Sequence, residues 1–125
     1  MLGDSEAIAT IAVKDLTVAK KFYQEVLGLE IARATGSEAL TFKTGRSELI
    51  VYRSQYAGSN KATAVNWRVG KEIEPIVEAL AAKGVAFEHY DMPGLTLEGD
   101  VHVFGEFKTA WFKDPDGNII SLMSF

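Results

Sequence analysis

Apolar positions along this chain change period twice, in the same order each time. Residues 8–13 form a short β-prone run, Ile-Ala-Thr-Ile-Ala-Val. After Lys14-Asp15 the spacing lengthens: Val18, Ala19, Phe22, Val26 and Leu27 share one side of a helical wheel, and Gly28 ends the pattern. The sequence then repeats itself. Ala64–Lys71 is again β-prone, and Ile73–Leu80 predicts a second amphipathic helix, with Pro75 in its first turn and Gly84 past its end.

The repeat is visible in the numbering. Val13 and Val69 lie 56 residues apart, and so do Gly28 and Gly84. Thr41-Phe42-Lys43 matches Trp111-Phe112-Lys113 at a separation of 70, and Gly45 matches Gly117 at 72. Each half therefore predicts strand, helix and three strands. The second half carries about 14 additional residues between Glu88 and Thr109. This divides a single domain over 1–125 into module one (about 7–53), a linker (about 54–61) and module two (about 62–125). Asp114-Pro115-Asp116-Gly117-Asn118 predicts a hairpin turn: Pro pre-sets φ, Asp and Asn bond the backbone, and Gly accepts positive φ.

Composition narrows the function classes. The chain has 125 residues, of which 47% are hydrophobic and 24% charged, and this is ordinary globular usage. The absence of cysteine removes disulfide scaffolds and thiolate metal sites. Net charge is −4, with basic residues scattered, so no basic face is on offer to a phosphate backbone and nucleic acid is set aside as a partner. No apolar run approaches the ~20 residues of a membrane span. The acidic start Met1–Glu6 is unlike a secretory signal, and the expected location is cytoplasmic.

Val13-x-Asp15-Leu16, Phe22-Tyr23, Val26-Leu27-Gly28 and Ala110-Trp-Phe-Lys-Asp-Pro-Asp-Gly-Asn-Ile-Ile120 together resemble the vicinal oxygen chelate superfamily, the glyoxalase, bleomycin-resistance and dioxygenase group. The resemblance spans residue 7 to the end. It implies an α+β fold of the glyoxalase/bleomycin-resistance type, in which two βαβββ modules form a curved half-open barrel around a pocket. It also implies a homodimer. Metal-using members carry one ligand on the first and last strand of each module. The corresponding positions here are Ile8, Leu49, Ala64 and Ser121, and none is a normal metal ligand. The resemblance without those donors points to a metal-independent binder of a small hydrophobic or aromatic molecule, like the bleomycin-resistance members, with no cofactor. The alternative is a glyoxalase, lyase or dioxygenase type of enzyme with an off-pattern metal site using Glu48, His89 or His102.

Strand alternation then places the expected pocket residues. Thr10 goes with Ile8, Asn66 and Arg68 go with Ala64, and Met123 goes with Ser121. Trp111 and its counterpart Thr41 fall where the family has a ligand-contacting aromatic. Trp111 is equally readable as core, Arg68 as a solvated strand end and Ser121 as filler. Trp67, of opposite parity, is expected against a helix. The inserted segment to about Glu106, with Pro93, Gly94, Gly99 and Gly105, reads as a mobile flap. On it Tyr90 and His89 could meet a ligand and His89 could pair with Asp91, or all could be exposed loop residues. Tyr52 and Tyr56 mark the linker. No catalytic residue is assigned.

Overall fold

The computed structural model describes residues 1–125 as two compact units, Met1–Asn60 and Lys61–Phe125. The first contains β1 (Ala9–Val13), α1 (Leu16–Lys20), β2 (Glu30–Thr35), β3 (Ala39–Thr44) and β4 (Ser47–Arg53). Its sheet runs β1-β4-β3-β2, with β1 parallel to β4 and the other neighbours antiparallel. Asp15 starts the helix: its side chain accepts the Thr17 and Val18 amides, satisfying donors that have no partner within the first turn. The helix widens into a π-type stretch over Lys21–Val26, and Gly28, at φ +75°, lets the chain reverse after it. Ala19 and Tyr23 are buried with Ile11, Val13, Phe42, Leu49 and Val51, and the Tyr23 ring lies 5.9 Å from that of Phe42.

The second unit contains β5 (Thr63–Arg68), α2 (Ile73–Ala82), β6 (Phe87–Glu88), β7 (Thr96–Glu98), β8 (Val101–Phe104), β9 (Phe107–Lys113) and β10 (Ile119–Met123). Its sheet runs β5-β10-β9-β8-β7, with β6 also on β9. Strand β5 is parallel to β10, as β1 is to β4. Residues 87–88 pair with one end of β9 and residues 102–104 with the other, so the insertion extends the edge that β6 only begins. The expected flap is thus corrected in part: Thr96–Phe104 is a hydrogen-bonded hairpin of the sheet, and Tyr90–Leu95 is the loop before it. Ile73, Val77 and Leu80 of α2 are buried together with Val101, Ala110, Phe112, Ile120 and Leu122. No helix is long and apolar enough to cross a membrane.

Candidate functional site

The register of β5, β10 and β9 decides which side chains share a face. Ser121 lies opposite Trp111 on one side and Asn66 on the other, and Met123 lies opposite Thr109 and Arg68. Ile120 and Leu122, with Val65, Trp67, Phe112 and Ala110, occupy the reverse face, whose central members are core. Trp111 therefore projects from the face away from the buried cluster around Phe112. The β9–β10 turn holds this register. The Asp114 carboxylate, 5% exposed, accepts the Asp116 amide at 3.0 Å, the Asn118 amide at 2.8 Å and the Asn118 side-chain amide at 2.8 Å.

On this face, beside Trp111, is a cleft of about 410 Å³ lined by Tyr90, Asp91, Met92, Trp111 and Ile119 together with Lys61, Ala62 and Thr63. Tyr90 meets Trp111 edge to face, with centroids 5.2 Å apart. The wall is apolar and aromatic, with one ammonium and one carboxylate, which is the usual make-up of a site for a small organic molecule.

The expected site residues divide among several places. Trp111 and Tyr90 meet in this cleft. Ser121 is fully buried and donates its hydroxyl to the Asn66 side-chain oxygen, so it is tied into the sheet. Asn66 is exposed, and Arg68, also exposed, sits 5.5 Å above the Phe125 ring. Met123 is half-buried beside Thr109. Thr10 and Thr41 lie in the other unit. There they share a face with Ile50 and Arg33, with Thr10 exposed and Thr41 buried. Ile119 has the parity of Ser121 and was readable as a cleft residue from alternation. Met92 and Thr63 carry no signal in the sequence, because loop geometry and a strand bulge place them.

Two of the four mapped metal positions need correction. Leu49 is 1% exposed and opposite Phe42, on the helix-covered face. The residue equivalent to Ser121 is Ile50, which pairs with Thr10 and Thr41 as Ser121 pairs with Asn66 and Trp111. The offset between the last strands is 71, because the longer turn adds one residue to the ladder and not two. Ala64 is the extra residue of a bulge, where Ile119 and Ile120 pair with Thr63 and Val65, so alternation does not orient it.

Glu48 shares the face of Ile50 with no strand slip, but Arg33 engages both its carboxylate oxygens, at 2.7 and 3.0 Å. That guanidinium holds the Glu48 carboxyl below its ordinary pKa. His89 bonds Asp100 at 2.7 Å, not Asp91. His102 is a buried strand residue, 1% exposed, which corrects the loop expectation. No three His, Asp or Glu side chains converge anywhere in the chain. Ile8, Ile50, Ala64 and Ser121 present aliphatic groups and one engaged hydroxyl, a donor set that does not fit a divalent metal.

The sequence matches the model of the Glyoxalase/Bleomycin resistance protein/Dioxygenase superfamily over residues 7–122. Among solved structures, a glyoxalase family protein from Enterococcus faecalis is 24% identical, with a TM-score of 0.73 over 98% of this chain and 99% of that one. A glyoxalase/bleomycin resistance protein from Streptomyces sp. CB03234 is 22% identical, with a TM-score of 0.66 over 94% and 98%. The fosfomycin resistance protein FosX from Listeria monocytogenes, complexed with Mn(II) and a dihydroxypropylphosphonic acid, is 20% identical, with a TM-score of 0.72 over 99% and 91%. At these identities the likeness is one of fold.

Proposed function

The chain belongs to the Glyoxalase/Bleomycin resistance protein/Dioxygenase superfamily, and on that premise we propose that it binds a small hydrophobic or aromatic molecule without a metal and without transforming it. The observation that carries this reading is the Trp111–Tyr90 cleft, together with the aliphatic side chains at the family's metal positions. Binding in such a cleft needs only apolar area and aromatic faces; Lys61 and Asp91 in the lining give polar ends of either sign for orientation. The family's use of a metal, to polarise neighbouring substrate oxygens, has no ligand set here on which to stand. The homodimer is part of the proposal, with its test in the mass in solution; nucleic acids and membranes are not among the proposed partners.

The test is a melting-temperature screen of aromatic and drug-like molecules, with a metal arm. A ligand at 100 times its dissociation constant adds about 2.7 kcal/mol to stability. Trp111→Ala should weaken that ligand at least tenfold, or about 1.4 kcal/mol, because the indole is the largest side chain in the lining. Protein equilibrated with Mn, Fe, Co, Ni or Zn and desalted should retain none. Retention of about one metal per chain, or binding indifferent to Trp111, would overturn the reading.

A further inference from the structure

Two buried polar atoms lack a hydrogen-bond partner, and they belong to residues paired across β8 and β9: Nδ1 of His102 and Oγ1 of Thr109. The other ring nitrogen of His102 is engaged. Nε2 accepts the Tyr90 backbone N–H at 2.9 Å. A nitrogen that accepts carries no proton, so the imidazole is neutral with its hydrogen on Nδ1. The Tyr90 ring lies over the same imidazole, with centroids 6.1 Å apart and planes 29° apart, while Trp111 meets that imidazole edge-on at 4.9 Å. One histidine thus fastens both the backbone and the side chain of the cleft's Tyr90 wall to the sheet.

The preceding residue is fastened differently. His89 Nε2 and Asp100 Oδ1 are 2.7 Å apart, and protonation of His89 turns that contact into an ion pair. At His102 a proton would instead place a hydrogen on the atom that must accept one.

We propose that His102 is a proton-operated latch: with the ring neutral, Tyr90–Met92 is held against β8 and β9, and a proton arriving at Nε2 sets two N–H donors against each other and releases that wall about His89. The latch itself needs no ligand; its consequence, a cleft that loses its aromatic wall in acid, rests on the binding reading above.

The surroundings favour the neutral ring. From β9, Thr109 and Trp111 present no charge. From β6, Glu88 lies opposite Trp111 and is 3.4 Å from Lys113. Strand β7 pairs Leu97 with His102 and carries Glu98 one residue on. Asp100 is taken by His89, whose ring lies 6.4 Å from that of His102. Burial holds His102 below its ordinary value of 6.5, a cation on His89 adds to this, and the Thr109 backbone acts the other way; the Tyr90 N–H donates to Nε2 and so disfavours a proton there. Release therefore falls on the acid side of 6.5.

The experiment is nitrogen-15 NMR of the free, full-length protein across pH 5–8, the range in which histidine switches. Long-range ring correlations identify which nitrogen is protonated, and amide exchange reports Tyr90. At the alkaline end His102 should carry its hydrogen on Nδ1, with the Tyr90 amide protected. With acid, protection at Tyr90 should fall at least tenfold along the His102 titration curve, while Ala110 in β9 stays protected. His89→Gln, at an exposed position, should shift that curve to higher pH by removing a neighbouring cation. In His102→Gln the pH dependence at Tyr90 should vanish. A bare Nδ1 at the alkaline end overturns the latch. So does a Tyr90 amide whose protection is flat while His102 titrates, or a His102 that stays neutral until the unit unfolds. Each of these is read without a ligand, so failure of the binding proposal leaves the latch standing.

Discussion

Asp114→Ala tests the turn on which the candidate site depends. The carboxylate closes three hydrogen bonds within five residues, two from backbone amides and one from the Asn118 side chain, and both Asp114 and Asn118 are buried. Bonds to a charged acceptor contribute about 1.5–3 kcal/mol each and are not additive within one cluster. Two backbone donors would lose their acceptor, the Asn118 amide in a buried place and the Asp116 amide in a part-buried one. The expected loss is about 3–5 kcal/mol, a large share of the 5–15 kcal/mol typical of a domain. Backbone bonds of 3.0 Å from Asp114 to Asn118 and from Gly117 to Asp114 remain, so the hairpin should weaken without disappearing. Asp114→Asn keeps one oxygen for the two amides and loses only the pairing with the Asn118 amide group, which can be recovered if that group flips. It should retain more than half of what alanine loses. Urea unfolding followed by circular dichroism and by tryptophan fluorescence measures both, as a lower midpoint at an unchanged m-value. An alanine variant within about 1 kcal/mol of the parent would refute the reasoning, as would an asparagine variant as damaged as alanine.

Two further outcomes follow from the corrected register and from the one strong ion pair of the first unit. Leu49→Ala should cost about 2–5 kcal/mol as a buried leucine, and Ile50→Ala less than half as much, since Ile50 is half-buried on the opposite face; equal losses in chemical denaturation would return Leu49 to the open face. Arg33→Ala should raise the Glu48 carboxyl back to its ordinary range, followed by carbon-13 NMR. The Glu48 contribution to folding is present above the ordinary carboxylate pKa and declines as pH falls toward its lowered folded value; an unmoved titration would show that Arg33 is not its cause.

Much of the architecture is legible in the chain. Helix ends are local events: Asp15 caps, Gly28 and Gly84 reverse at positive φ, and the apolar period changes between them. The repeat survives in the sequence because each half buries one strand face under its helix, so Phe42 and Phe112 recur as buried residues on equivalent strands. That Trp111 lies on the opposite face from Phe112 is legible by alternation, being one step out of phase with it. Other features are not local. Aligning Gly45 with Gly117 gives an offset of 72, whereas hydrogen-bond pairing gives 71. That one residue puts Leu49 in the core and Ile50 on the open face, because strand side chains alternate. The bulge at Ala64 is likewise a matter of pairing with β10.

The histidines show the boundary most clearly. Between glycines and a proline, Val101-His102-Val103-Phe104 looks like loop, and only its pairing with β9 makes it a strand and buries the imidazole. His89 stands two residues from Asp91 in sequence, but the hairpin brings Asp100 to it. Periodicity and turn chemistry are short-range and were written in the chain. Register across an insertion, and the partner of a buried polar atom, exist only once distant strands have met.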